Sequence, residues 1–342
     1  MSDQHYALFD KVPDGFLDCP ADRLASILPG PSLIDLPGRG QNPLFLSVLL
    51  HGNENSGLLA VQNALRRHAD RLLPRGLLLF VGNVKAAAAH VRTLPEQADF
   101  NRVWPGTLTP EAPEAIMAQE VFDYVASRNP FASIDIHNNT GFNPHYSCIT
   151  RLEPEFIALA RLFSRIVVHF QRPAGVQAGA FARLCPAITV ECGKAGGGGG
   201  VERATELIEA ALALEHFPEH APAPHDVELL RTYAIVKTPA QASFTFDGSP
   251  ADFRFRGDID HLNFSELPAG ESFGMADGSL RLELHPGDEE AAPGEYFDYA
   301  DGEIRLARPA VPAMLTLDDH AVRLDCLCYL MHRISSEGTL LP

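Results

Sequence analysis

Between about residues 44 and 217, short apolar runs rich in β-forming residues alternate with longer segments of helical periodicity. The apolar runs include LFLSVLL (44–50), GLLLFVGNV (76–84) and AITVECG (187–193), and the helical segments include LLAVQNALRRHADRLL (58–73) and VERATELIEAALALEHF (201–217). Strands that alternate with helices are typical of a sheet covered by helices on both faces. The pattern therefore predicts an α/β fold for this part of the chain.

A stretch rich in Pro, Ala and His, PEHAPAPH (218–225), follows the last helical segment. Beyond it, short alternating segments such as RTYAIVKT and SLRLELH are separated by Gly, Pro and Asp, which predicts a smaller β-rich domain. We therefore expect a larger α/β domain at 1–217, a linker at 218–225 and a smaller β-rich C-terminal domain at 226–342.

The charge of the chain is also divided unevenly. The net charge is −17; residues 1–200 carry 17 basic and 18 acidic groups, whereas residues 201–342 carry 10 and 26. An acidic field of this kind repels phosphate backbones and anionic lipid. We therefore expect neither nucleic acid nor a membrane surface as a partner, while the nearly neutral first part can still hold a pocket for a small anion.

The N-terminal stretch MSDQHYALFDKVPDG has no basic segment followed by an apolar one. No window approaches the roughly 20 apolar residues that a membrane span needs, so a cytoplasmic location is expected. Six cysteines occur without paired CxxC spacing, which predicts free thiols rather than disulfides or a thiolate zinc site.

Ligands of α/β sheets collect at the carboxyl ends of strands, and unusual polar groups occur at such places in this sequence. The first is LHGNENSG (50–57), where His51 and Glu54 follow a buried-type apolar run. Imidazole nitrogen and carboxylate oxygen are both good zinc donors, and a tight turn can aim both at one point. An HxxE match also arises by chance, so an ordinary turn histidine and a solvent-facing glutamate are the alternatives.

The second strand end is SIDIHNNTG (133–141), where Asp135, His137, Asn138 and Asn139 interrupt the apolar alternation. A catalytic zinc typically has three protein ligands and an open position, so His137 is a candidate for the third ligand. A structural histidine, bonded within its own surroundings, is the alternative.

Two further stretches carry candidate groups. In ITVECGK (188–194), Glu191 stands at the mouth of a buried strand, where it suits a general base and acid, or else a salt bridge to Lys194 or a helix cap. In ADFNRVWPG (98–106), Asn101 and Arg102 suit a substrate carboxylate, and Asp99 could orient a ligand histidine. An ordinary surface loop is the alternative for each residue of the second stretch.

Taken in order, the HxxE, DxNR and DxH motifs and the strand ending in glutamate resemble the M14 zinc metallocarboxypeptidase superfamily, particularly its succinylglutamate desuccinylase/aspartoacylase branch. The resemblance covers about residues 44–200. It implies a zinc carboxypeptidase-like mixed central sheet with helices on both faces, and the β-rich C-terminal domain favours the deacylase branch.

Carried over by position, the resemblance implies that His51, Glu54 and His137 bind one zinc ion per chain. It makes Glu191 the catalytic glutamate and Asp99 the residue that orients His51.

The same resemblance implies that Asn101 and Arg102 hold the substrate carboxylate. Arg92 would polarise the scissile carbonyl, with Lys85 as the alternative. Tyr146 could contact the substrate through its phenol group, and a buried structural role is the alternative.

The implied reaction is hydrolysis of an amide bond near a free carboxylate, in a small-molecule or short-peptide substrate. The enzyme would be a carboxypeptidase or an N-acyl-amino-acid deacylase, and the sequence leaves this choice and homo-oligomerisation open. Two alternatives belong to other classes. The Gly196–Gly200 run could cradle a nucleotide or another anion, although the P-loop Lys and Ser/Thr are missing. A non-catalytic relative could bind a partner through the β domain, although all three ligands and Glu191 are retained.

Overall fold

The computed structural model describes residues 5–220, 222–286 and 296–341. The chain divides into two compact units, which we call the first and the second unit. The first contains the residues up to Asn138 together with His145–Val167 and Pro173–Glu228; the second contains Asn139–Pro144, Val168–Arg172 and the residues from Leu229 onward. The domain boundaries expected at 217 and 226 stay a prediction, and Ala221 of the expected linker lies outside the described residues.

Up to residue 213, strands and helices alternate as the sequence predicts. The strands are β1 (Ala7–Phe9), β2 (Ser32–Leu36), β3 (Gly38–Val48), β4 (Leu73–Val81), β5 (Ala132–Asn139), β6 (Tyr146–Ile149), β7 (Ile166–His169) and β8 (Ala187–Lys194). The helices are α1 (Ser56–Arg67), α2 (Val84–Ala88), α3 (Pro113–Ser127), α4 (Pro154–Arg161), α5 (Gln177–Phe181) and α6 (Gly200–Ala213).

The sheet of the first unit is mixed, which confirms the predicted fold class. In it, β1 is parallel to β2, β2 is antiparallel to β4, and β3 is parallel to both β4 and β5. The strand order continues from β5 to β8 and β6, and the last two are antiparallel. Because β3 and β5 are parallel neighbours, their carboxyl ends meet at one edge of the sheet.

The central strands are apolar because both of their faces are covered. Every residue of β4 from Leu77 to Val81 is buried, and so is every residue of β3 from Leu44 to Val48. Strands buried on both faces produce continuous apolar runs rather than strict alternation. Both strands are therefore rigid supports for the loops that follow them.

Helix α1 begins immediately after the turn that follows β3. Its buried positions include Leu58, Val61 and Leu65, which lie on one helical face. A Cβ atom on Gly57 would lie 2.9 Å from Cγ1 of Val48 and 3.0 Å from Cβ of Ile136. The absence of a side chain there lets the start of α1 pack closely on β3 and β5, which holds the intervening turn at both ends.

The second unit is β-rich, in agreement with the predicted smaller C-terminal domain. Its strands beyond residue 227 are β9 (Glu228–Lys237), β10 (Phe244–Thr245), β11 (Phe253–Phe255), β12 (Ser272–Ala276), β13 (Glu283–Pro286), β14 (Phe297–Asp298), β15 (Glu303–Leu306), β16 (Val311–Ala313) and β17 (Cys328–Arg333), with helix α7 at Asp319–Leu324. Strands β13, β9, β17 and β16 pair antiparallel in that order, and β10-β11-β12-β15-β14 form a separate five-stranded sheet. Phe253, Phe273 and Ile304 are fully buried in its core.

Two sequence expectations concern the chain as a whole. All six cysteines are free thiols, as expected: Cys19, Cys148, Cys185, Cys192, Cys326 and Cys328. Within the described ranges, no helix has the length and apolar character needed to cross a bilayer.

Candidate active site

Three candidate ligands meet at the edge formed by β3 and β5. His51 follows β3, Glu54 precedes α1, and His137 lies near the end of β5. They are 3%, 7% and 3% exposed, and one ligand atom from each lies within 4.8 Å of the others. The structure thus brings together three side chains that are 86 residues apart at most along the chain.

The donor atoms of this cluster face one another. Nδ1 of His51 lies 2.8 Å from Oε1 of Glu54, and Nδ1 of His137 lies 2.7 Å from Oε2 of the same carboxylate. The two Nδ1 atoms are 3.1 Å apart. Lone pairs gathered in a buried space require a positive charge between them, and two imidazoles with one carboxylate are a typical ligand set for catalytic zinc. The residues present therefore fit a divalent ion.

The far side of each imidazole is held by a carboxylate. Nε2 of His51 lies 2.9 Å from Oδ1 of Asp99, and Nε2 of His137 lies 2.7 Å from Oδ2 of Asp135. An ionised carboxylate can only accept a hydrogen bond, so each Nε2 carries a proton and donates it. This arrangement leaves Nδ1 of both rings available to a metal and fixes the orientation of the rings.

Neighbouring charges shift the pKa values of Glu54 and His137 in opposite directions. Burial raises the pKa of Glu54, but His51 and His137 lower it more, and the net result is well below the usual range. Burial lowers the pKa of His137, but Asp135 and Glu54 raise it more, and the result is well above the usual range.

Asp99 and Arg92 lie beside the cluster. Burial raises the pKa of Asp99, but His51, Arg92 and Arg102 lower it to well below the usual range. Nε and Nη2 of Arg92 donate to Oδ2 of Asp99 at 3.1 and 2.9 Å, and Nη1 lies 3.8 Å from Oε1 of Glu54. Arg92 thus lies beside two of the carboxylates of the site, and the carbonyl-polarising role expected for it stays a prediction.

Lys85, the alternative to Arg92, is exposed on α2. It lines a different cavity, together with Asn83, Gln97 and Glu114. Of these two residues, Arg92 is therefore the one that lies beside the His51, Glu54 and His137 cluster.

The side chain of Asn101 is buried between Gln177 and His137. Its Oδ1 accepts a hydrogen bond from the backbone N–H of Gln177 at 2.9 Å, and its Nδ2 lies 3.1 Å from Nε2 of His137. Nη1 of Arg102 donates to the carbonyl oxygen of Asn101 at 2.9 Å. Asn101 therefore packs against the candidate ligand His137, and Arg102 lies beside Asn101. The substrate-binding roles expected for both residues stay predictions.

Glu191 lies in β8, directly opposite Tyr146 of β6. Its Oε2 is buried and has no hydrogen-bond partner within the described part of the protein. Burial raises the pKa of Glu191 to about 8, with His137 and Arg92 opposing the shift and Glu54 adding to it. A buried carboxylate oxygen of this kind is costly unless a further group bonds to it.

Sequence reasoning missed several residues that support the cluster. The DxH motif contains Asp135 but assigns it no role; its position two residues before His137 in a strand places both side chains on one face. Ser47 donates to Asp135 at 2.7 Å, and the backbone N–H of Asn138 donates to Oε2 of Glu54 at 3.1 Å. Gln177 and Ser47 carry no local signal, because their partners are distant in sequence.

Backbone conformation and close packing explain two of the glycines at the start of α6. Gly199, the residue before α6, has a φ of 87°, a left-handed conformation that favours glycine. A Cβ atom on Gly200 would lie 2.2 Å from the carbonyl oxygen of Cys192 in β8. The glycines therefore let α6 begin in close contact with the strand that carries Glu191, and nothing further supports the anion-binding alternative.

About half of the chain matches a known protein family. Residues 41–217 match the model of the succinylglutamate desuccinylase/aspartoacylase catalytic domain, a segment that contains every candidate side chain named above. No curated protein matches the chain by sequence.

Solved structures share the fold at low sequence identity. The succinylglutamate desuccinylase from Chromobacterium violaceum is 21% identical over 75% of this chain and 87% of its own, with a TM-score of 0.52. Murine aminoacylase 3 is 15% identical over 86% and 96%, with a TM-score of 0.54. The product-bound ectoine utilization protein EutE (DoeB) from Ruegeria pomeroyi is 16% identical over 89% and 88%, with a TM-score of 0.56.

Proposed function

Since the chain belongs to the succinylglutamate desuccinylase/aspartoacylase family, we propose that it is a zinc-dependent hydrolase that releases an amino acid from its N-acyl derivative. The observation that carries this proposal is the convergence of His51, Glu54 and His137, whose donor atoms lie within 4.8 Å of one another. The carboxyl group of Glu191 lies in the same unit, and its buried Oε2 has no hydrogen-bond partner in the described part of the protein. It supports a hydrolytic role, because a cation bound nearby favours the ionised carboxylate, which can accept a proton.

The substrate we propose is an acylated amino acid rather than a peptide. The matched family is described by desuccinylase and aspartoacylase activities, and the names of the solved neighbours include an aminoacylase. An N-acyl amino acid keeps its free α-carboxylate, and the guanidinium of Arg102 is suited to bind that group through two parallel hydrogen bonds. Tyr146 would contact the substrate beside Glu191.

The proposed reaction is amide hydrolysis. A divalent ion held by the three ligands would supply Lewis acidity, which lowers the pKa of water and polarises the acyl carbonyl. Glu191 would accept the proton of the attacking water and then return it to the departing amine. Arg92 would donate to the carbonyl oxygen as negative charge develops on it, a contribution on the order of 3 kcal/mol. The products are a carboxylate and a free amino acid.

The proposal is tested first by metal content and then by activity. We expect elemental analysis to find one zinc per wild-type chain and none in His137→Ala. The matched control is His68→Ala, which removes another buried histidine of the first unit, bonded to Glu209 at 3.0 Å, and should keep its zinc.

Activity is measured with N-succinyl and N-acetyl amino acids and with dipeptides, by detection of the released amine. Cleavage of the acyl amino acids that disappears with a chelator and returns with zinc would support the proposal. Cleavage of dipeptides alone would make the protein a carboxypeptidase. Absence of zinc from the wild-type chain, even after incubation with the ion, would refute the metal-dependent reaction.

A further inference from the structure

Ser47 and Asp135 are fully buried and lie directly opposite each other on the parallel strands β3 and β5. The hydroxyl of Ser47 donates to Oδ1 of Asp135 at 2.7 Å. The other oxygen of the same carboxylate, Oδ2, accepts from Nε2 of His137 at 2.7 Å. Two consecutive hydrogen bonds thus connect the middle of β3 to a candidate metal ligand on β5.

We propose that Ser47 is a positioning residue of the metal centre. It contacts neither metal nor substrate, and it acts by holding the carboxylate of Asp135 in the orientation that receives the Nε2 proton of His137. The inference rests on the proposed function, because it takes His137 to be a metal ligand.

The physical reason lies in the freedom of a carboxylate. The terminal torsion of an aspartate side chain has broad minima, so one hydrogen bond to an imidazole does not by itself fix the plane of the group. A second bond, from a hydroxyl on the neighbouring strand to the other oxygen, removes that freedom. Because the ring orientation and tautomer of a ligand histidine follow from the partner of its second nitrogen, fixing Asp135 also fixes Nδ1 of His137 towards the metal.

Another fully buried strand serine has a partner of a different kind. The hydroxyl of Ser32, in β2, donates at 2.9 Å to the carbonyl oxygen of Gly30, two residues away. That bond stays within the local turn and does not connect Ser32 to a candidate metal ligand. The partner of Ser47 is a carboxylate 88 residues away in sequence. Ser32 is therefore a matched control for the loss of a buried serine hydroxyl.

The experiment measures zinc affinity by competition with a chromophoric chelator. We expect Ser47→Ala to bind zinc about tenfold more weakly than the wild type, and Asp135→Asn about ten- to a hundredfold more weakly. Ser32→Ala should bind zinc as the wild type does. In the Asp135→Asn background, Ser47→Ala should cause little additional loss, because both changes break the same connection.

A spectroscopic readout separates positioning from general destabilisation. The visible absorption of the Co²⁺-loaded protein depends on ligand geometry, and it should change in Ser47→Ala but not in Ser32→Ala. Wild-type affinity and an unchanged spectrum in Ser47→Ala would overturn the positioning role while the proposed function stands. Failure of the wild type to bind metal would overturn the proposed function and this inference with it.

If Ser47→Ala does not fold, Ser47→Cys replaces it. A thiol is close to the hydroxyl in size and is a weak donor. Reduced zinc affinity in the folded Ser47→Cys protein would support the proposal, and wild-type affinity would contradict it.

Discussion

Tyr146 and Glu191 lie directly opposite each other on the antiparallel strands β6 and β8. Opposed residues of an antiparallel pair project from the same face of the sheet, with Cβ atoms about 5 Å apart. Both strands belong to the first unit, which also contains the His51, Glu54 and His137 cluster. The proposed proton acceptor thus has a buried phenol as its nearest neighbour across the ladder.

We expect Tyr146→Phe to lower kcat/KM for an N-acyl amino acid about tenfold, because the hydroxyl is lost and the ring is kept. Zinc content should not change. The control is Tyr124→Phe, which removes a hydroxyl that donates to Oδ2 of Asp35 at 2.7 Å and should affect stability rather than turnover. Wild-type kcat/KM in Tyr146→Phe would leave this residue a packing role.

Glu191→Gln should lower kcat by roughly two to four orders of magnitude, because the amide cannot accept the proton of the attacking water. Zinc should be retained, since Glu191 is not among the proposed ligands. Glu209→Gln, which changes a carboxylate elsewhere in the first unit, should keep its turnover. Unchanged turnover in Glu191→Gln would remove this residue as the proton acceptor.

The pH dependence of stability should reveal the same carboxyl group in the metal-free protein. Burial raises the pKa of folded Glu191 to about 8, whereas an unfolded glutamate titrates near about 4.3. Between these values the folded state binds more protons than the unfolded state, so the stability contributed by this group falls as the pH rises. The free energy of unfolding of Glu191→Gln minus that of the wild type should therefore increase across this interval and level off above it.

Urea unfolding of both metal-free proteins, followed at several pH values from about 4.5 to about 8.5, measures this difference. A difference that does not vary with pH would mean that Glu191 titrates normally in the folded protein. Addition of zinc should reduce the variation, because a cation nearby favours the ionised carboxylate.

Arg102→Ala should raise KM for an N-acyl amino acid at least about tenfold, because the paired hydrogen bonds to the substrate carboxylate are lost. Arg102→Lys should recover only part of the affinity, since an ammonium group does not offer the planar fork. The control is a substrate in which the carboxylate is replaced by an amide. Equal losses on both substrates would show that Arg102 does not recognise the carboxylate.

Local sequence patterns predicted most elements of the first unit, but not all of their ends. The helical pattern at 58–73 continues to Leu73, whereas α1 ends at Arg67 and Leu73 begins β4. The apolar run at 76–84 predicts a strand up to Val84, whereas β4 ends at Val81 and Val84 begins α2. Asn83 causes this early end, because its Oδ1 accepts the N–H of Ala86 at 3.1 Å and caps the new helix.

The sequence by itself determined the α/β alternation and the identities of the candidate donors, because periodicity and motif spacing are local properties of the chain. The i, i+3 spacing of His51 and Glu54 and the i, i+2 spacing of Asp135 and His137 are of this kind. Only the tertiary structure decided that Asp135 holds the imidazole of His137, and that Ser47 and Gln177 support the cluster. Ser47 is 88 residues from Asp135, and Gln177 is 76 residues from Asn101. Contacts over such separations depend on strand order and register, and these are set by the packing of the whole unit rather than by any one segment.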